Sequence, residues 1–458
     1  MTNPVSQTVS ERLVGFAREQ AAMGLSDEIL HETKRLVINQ LKASVGATGH
    51  PAIRLLHDWA LADGPTERGT HIHWFGTRTT PAQAAIVNGA LYEVLDFHDT
   101  YIPCFMHAVS AVLPAAFAIA EARKASGREF LTALALGIEC ELAVATIVMP
   151  SGYYRGGVPA GLTGGVGAAI ACSLLGRLDA EPMRNAVGVA MCTAFGLYAS
   201  VGSMTLSYIT GATARSGLVA FELAERGFTA PATAFEGDRG MFQALCDEDR
   251  AKIEPILATL GENWRLFGQT YKVVPTETIT HGPVECVLAV RARAGGRTLD
   301  RLVFKVNPLV QSIADERRER FGVPSSESEA TFDLRFCAAA AWVKGRFTTA
   351  ETAPASFIDP EILALRERID LVADADRPTF EGCSLIATFT DGTSEAHNID
   401  HFLGTPGARV PDAMLSDLFR QYAEGVLPAR RALAILDAAW SLDTAPTLDP
   451  LISLLKTA

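Results

Sequence analysis

Between Gly161 and Gly217 the chain is apolar and helical in period, yet glycines interrupt it at Gly164, Gly165, Gly167, Gly188, Gly196 and Gly211. A glycine inside a helix costs roughly 1 kcal/mol relative to alanine. A segment that keeps so many needs a compensation. The simplest is close approach of one helix to another in a compact, all-helical core. Other helices announce themselves by their ends. Ser26-Asp27-Glu28 caps one that runs toward Gly46, with Ile29, Leu36, Ile38 and Leu41 on its apolar side. Pro81-Ala82-Gln83 opens another toward Asp96, and Gly127-Arg128-Glu129 precedes a third through Ile147.

The period changes near Gly268. Arg297 to Val306 alternates as a strand does, and Ser384 to Thr390 forms a second strand ended by the turn Asp391-Gly392. Glu329 to Val343, between them, has a helical pattern. Beyond Pro406 helices return at Pro411 to Gly425, Ala429 to Trp440 and Pro450 to Lys456. The expected fold is therefore mainly α. A large all-helical domain is formed by residues 1–268 and 405–458, and a smaller α+β domain by residues 269–404.

The composition is that of a soluble globular chain: 458 residues, 48% hydrophobic and 20% charged. The net charge of −12 argues against nucleic acid and anionic membrane surfaces as partners. Eight cysteines occur without any C-x-x-C pair and read as reduced thiols, with Cys140 and Cys172 in the core. Met1-Thr2-Asn3-Pro4 starts no signal peptide, so the expected compartment is cytoplasmic. The most apolar window, Phe130 to Met149, contains Glu139 and Glu141 and reads as a buried helix, not a membrane span.

Chemistry concentrates in Leu95-Asp96-Phe97-His98-Asp99-Thr100, followed by His107. Two carboxylates, a hydroxyl and two imidazoles gather at one helix end, and Asp96 and Asp99 are spaced to share a helical face. Polar groups placed between apolar helices are costly unless used or hydrogen-bonded. The structural alternative is a helix cap with a satisfied aspartate. Asp96, His98, Asp99 and His107 also contain metal-ligand types, but no recognisable ligand spacing accompanies them. His71-Ile72-His73 reads as a surface strand, and Arg317-Arg318-Glu319-Arg320 as a solvated helix face. The run Gly161 to Gly167 fits neither dinucleotide nor phosphate-loop spacing.

In sequence order the chain resembles the MmgE/PrpD family, which includes 2-methylcitrate dehydratases, cis-aconitate decarboxylases and an iminodisuccinate epimerase. The likeness runs through Asn88-Gly89, the Leu95 to Thr100 segment, and His107 with Ala111-Val112-Leu113-Pro114. It continues in Gly164 to Ala169 with Leu175-Gly176, and in Ser216-Gly217 with Ala224 to Pro231. Phe235-Glu236-Gly237, Tyr271-Lys272, Pro275 and His281 complete it. The resemblance implies a helical domain closed by the C-terminal helices, a smaller α+β domain, a homodimer, and no metal or organic cofactor. It also implies a catalytic set of Asp96, Thr100, His107 and Lys272, with His281 matching a further family histidine.

Departures are as informative. The family has a third acidic residue where this chain has His98. Histidines of the family fall at Val158, Ile209 and Glu277, a lysine at Leu206, and a tyrosine near Ser312. One extra residue separates Thr100 from His107. Arg155, with Tyr153 and Tyr154, precedes Val158 and is the expected replacement for the lost cation and phenol. The expected activity is proton abstraction next to a carboxylate in a small mono- or dicarboxylate, with a lyase preferred. A two-base epimerase is the alternative, and a catalytically degenerate binding protein is a third reading.

Overall fold

The computed structural model describes residues 7–456 except 63, 65, 67, 68, 247 and 248. Asp27–Val45 begins at Ser26, whose hydroxyl accepts from the Ile29 amide, with Asp27 and Glu28 at its positive end. Pro81–Glu93 has proline at its first position and Thr80 as its cap. Gly127–Val148 starts in a capping box of Ser126 and Glu129. This helix is long and apolar enough to cross a membrane, but 89% of its most apolar window is buried inside the protein. It is a core helix surrounded by other helices.

The interior glycines sit where helices cross. A Cβ on Gly211, in the helix Thr205–Glu225, would lie 2.1 Å from the carbonyl oxygen of Ile86, in Pro81–Glu93. A Cβ on Gly137 would meet the Gly167 carbonyl at 2.6 Å. At such crossings backbone packs on backbone, which recovers in dispersion and burial what glycine loses in entropy. The helix that Gly211 presses against ends just before Asp96.

One continuous apolar core joins residues from Val9 to Tyr271 with Val410 to Leu455. The helices Asp412–Ala423 and Ala429–Trp440 therefore pack with the first half of the chain. A second core, Ile279 to Phe389, lies beneath a four-stranded sheet. Leu299–Val306 pairs in parallel with Ile369–Ala373 and antiparallel with Cys383–Phe389, which pairs with Ser394–Ile399. Leu302, Phe304 and Val306 alternate inward, and a register shift at Leu299/Arg301 breaks that alternation near the strand start. The helices His281–Arg293 and Leu334–Lys344 contribute to the same core.

Three sequence expectations change here. Glu329 to Val343 is two helices, Glu327–Phe332 and Leu334–Lys344, because Asp333 stops the first and caps the second through the Phe336 amide. His71 and His73 are buried rather than on a surface strand. His71 Nδ1 lies 2.5 Å from Glu121 Oε1, and His73 Nδ1 lies 2.8 Å from the Tyr92 hydroxyl. Asp96 and Asp99 do not share a helical face. The helix ends at Glu93, Asp96 takes a left-handed φ of 47°, and Asp99 begins a strand.

Candidate active site

The site is assembled by a short sheet that joins distant parts of the chain. Asp99–Tyr101 pairs antiparallel with Gln269–Tyr271, in the register Asp99 to Tyr271 and Thr100 to Thr270. Lys272 thereby emerges beside Asp96, its partner across 176 positions of sequence. After Tyr101 a 3-10 turn carries the chain out. The bridge between Tyr101 and Met106 then brings it back, with hydrogen bonds of 2.7 and 3.2 Å. This closed loop accommodates the extra residue and returns His107 to 3.3 Å from the Thr100 hydroxyl.

Asp96, Thr100, His107, Tyr153 and Lys272 line one cavity of about 100 Å³ between the helical part and the α+β part. Lys272 is 1% exposed and donates to the Asp96 backbone carbonyl at 3.0 Å and to its carboxylate. His107 Nδ1 is 2.7 Å from the Asp99 carbonyl oxygen. A carbonyl only accepts, so Nδ1 carries the proton and Nε2 keeps its lone pair. Burial, reinforced by the Lys272 charge, pulls the His107 pKa down to about 4. The resting imidazole is therefore neutral.

The neighbouring groups have structural and electrostatic parts. Asp99 is the satisfied cap: its carboxylate accepts from the Val109 amide at 3.2 Å and from Gln40 at 2.5 Å. Burial raises its pKa to about 7. Burial, and then the charge of Asp96, push Glu93 up to about 8. His98 is wholly buried, stands edge-on to His107 with ring centroids 4.2 Å apart, and is held neutral by burial. Glu93, His98 and His107 each bring one ligand-type atom within 4.8 Å of the others. The Lys272 ammonium acts electrostatically on all three and opposes a second cation among them.

The expected binding residues divide. Tyr153 lines the cavity and packs edge-on against Tyr198, with centroids 5.0 Å apart. Tyr154 is 68% exposed and lies outside the lining. Arg155 is also exposed and turned away, donating to the Ala244 carbonyl, because the short helix Ser151–Tyr154 ends just before it. His281 starts a helix behind the wall. Its Nε2 lies 3.3 Å from the Thr276 carbonyl and its ring packs on Phe402.

Sequence reasoning missed the second cation, Arg317. It was assigned to a solvated face, but is 3% exposed and reaches the cavity. The helix Pro308–Phe321 presents Leu309, Val310, Ile313 and Arg317 to the cleft, while Ser312 faces solvent. Arg317 forms an ion pair with Glu277, and its guanidinium stacks 4.9 Å from the Phe332 ring centroid. The available signal was the apolar spacing Leu309, Ile313, Arg317, which places the arginine on the buried stripe. Val158 and Leu206 also line the cavity.

Sequence models of the MmgE/PrpD N-terminal and C-terminal domains match residues 11–254 and 274–443. The chain is 24% identical to a cis-aconitate decarboxylase of Homo sapiens over 446 residues, covering 94% of this chain and 91% of the relative. It is 25% identical to a cis-aconitate decarboxylase of Aspergillus terreus over 480 residues, covering 98% and 96%. With both domain models matched across most of its length, the chain belongs to the MmgE/PrpD family.

Proposed function

We propose that the protein is a lyase acting on a small mono- or dicarboxylate, and that His107 takes a proton from the carbon next to the carboxylate. The observation that carries this reading is the His107 imidazole, kept neutral, with Nδ1–H fixed on the Asp99 carbonyl and Nε2 left as the proton acceptor. A resting base is ready for abstraction as the first step. Lys272 uses two of its three N–H bonds on Asp96 and keeps one for a substrate carboxylate, where negative charge grows as the proton leaves. The electron pair of the broken C–H bond then forms the double bond as the neighbouring group departs with its own pair. Full-length relatives named as cis-aconitate decarboxylases support the lyase class.

A two-base epimerase needs a proton donor on the face of the carbon opposite His107. Tyr153, in the same cavity and kept protonated by burial and by Tyr198, is a donor of that kind, so the reaction outcome separates the two readings. The deciding experiment incubates the protein in deuterated water with a carboxylate panel, followed by NMR. A lyase yields a new product. Label incorporation without net loss of substrate would instead establish an epimerase, and neither outcome with any carboxylate would leave a binding protein.

A further inference from the structure

The charges lining the cleft are already balanced before any substrate arrives. Among the described residues its cations are Lys272 and Arg317. Each touches its own carboxylate, Asp96 for Lys272 and Glu277 for Arg317. What is left over is one ammonium N–H of Lys272 and, on Arg317, the buried Nε–H with the second N–H of Nη1, whose first faces Glu277, and of Nη2, whose first reaches the Tyr198 hydroxyl. Apart from His107, Glu93 and the hydroxyls of Thr100, Thr278, Tyr153 and Tyr198, the remaining wall is apolar. Phe105 and Phe380 stack from opposite sides with centroids 5.4 Å apart, and Ile279, Leu309 and Ile313 continue the surface. A second cavity of about 400 Å³ shares Glu93, Asp96, Leu206 and Phe332 with the first, and among the described residues its only basic lining side chain is His50. That imidazole lies 3.3 Å from Glu327, a carboxylate of its own.

We infer that the substrate is a monoanion, a single carboxylate carried on an apolar body, and not a di- or tricarboxylate. This inference rests on the carboxylate reading of the site given above. A second carboxylate would have to share Arg317 with Glu277, whose own negative charge lies beside it, so its desolvation would be only partly offset. An apolar substituent meets the opposite situation, gaining about fourfold in affinity for each methylene it buries. Val158 and Leu206 fit this account, because each puts apolar surface on the same wall. Glu277 fits as well, since it cancels Arg317.

The test is direct binding by calorimetry to the full chain, with unreactive probes that differ in charge. The probes are 3-phenylpropanoate, methylsuccinate and tricarballylate. The expected order places 3-phenylpropanoate at least about tenfold tighter than methylsuccinate, with tricarballylate weakest. Glu277→Gln frees Arg317 and should tighten methylsuccinate about tenfold or more while changing 3-phenylpropanoate much less. Methylsuccinate or tricarballylate binding tightest to the wild-type protein would overturn the monoanion. The wild-type series carries the test even where the variant fails to fold. Deuterium exchange or turnover confined to di- or tricarboxylates would overturn the monoanion and keep the lyase. The expected binding order without exchange of any carboxylate would do the reverse. Failure of all three probes to bind at millimolar concentration would overturn both.

Discussion

The Lys272–Asp96 pair predicts a separation of stability from function. Lys272 is 1% exposed and the Asp96 side chain 11%, so neither charge has water as an alternative partner. Removing one member of a buried pair typically costs about 3–5 kcal/mol, because the other remains as an uncompensated charge. Lys272→Met should therefore lower the unfolding free energy by about that amount, read from urea midpoints at constant m-value. Asp96→Asn added to it removes the stranded carboxylate. The double variant should recover about 2–3 kcal/mol, the upper range of coupling for contacting groups. Function should not recover. Losing a charge-assisted hydrogen bond to the substrate carboxylate is worth roughly 1.5–3 kcal/mol, or about ten- to over a hundredfold in Kd or kcat/KM. Calorimetry with the carboxylate that the wild-type protein binds measures that loss. A double variant no more stable than Lys272→Met would refute the pair's buried energetics. Undiminished carboxylate affinity in a folded Lys272→Met protein would refute the role of its spare N–H.

His107→Ala should slow turnover by roughly 10²–10⁴-fold with folding intact, as measured by deuterium exchange into the reacting carbon. Because His107 is pulled down to about 4, kcat/KM should stay level as pH falls from 7 to 5 and decline only near 4. An acid limb near 6.5 would mean an exposed, ordinary imidazole. Glu93 gives a stability test of opposite sign. Its carboxyl is raised from 4.5 to about 8, so the folded state holds a proton that the unfolded chain has shed. That stabilising contribution is complete below pH 4.5 and fades as pH rises toward 8. Glu93→Gln should reduce this slope in urea midpoints compared at pH 5 and pH 8, leaving the part of the same sign that Asp99, raised to about 7, contributes.

The sequence carried the fold further than it carried the cleft. Helix starts were legible because capping is local: Ser26, Pro81 and the Ser126–Glu129 box each act within one turn of the helix they open. Glycine crossings were legible as a need, since Gly211 in a helix requires a neighbour, but not as a pairing with Ile86. The break at Asp333 was hidden because an aspartate can interrupt a helix or cap one, and here its other oxygen is claimed by Arg366. Asp96, Thr100 and His107 stood out through density of chemistry within a dozen positions. Lys272 came only from the family resemblance, since nothing local shows that residues 269–271 will pair with 99–101. Arg317 sat among charges, and Arg318 and Arg320 do face outward, to Glu367 and to the carbonyls of Ala199 and Val201. Only tertiary packing separates the first arginine from the others.

The same short sheet separates the core of the candidate site from its rim. Thr100 and His107 are fixed by the Tyr101–Met106 bridge, and Lys272 by the Asp99–Tyr271 register. All of these are backbone hydrogen bonds, indifferent to the side chains that line the remaining walls. His107 and Lys272 are thus held in register by the backbone, while Val158, Leu206, Glu277 and Arg317 line the walls around them. Each of those four comes from a different segment: a helix cap, a helix first turn, a loop, and the helix Pro308–Phe321. A change in one leaves the backbone pairing of the reacting groups untouched, so charge and size of substrate can be altered without rebuilding the centre. In the proposed reaction the reacting groups are therefore placed by backbone pairing, and selectivity falls to side chains that take no part in that pairing.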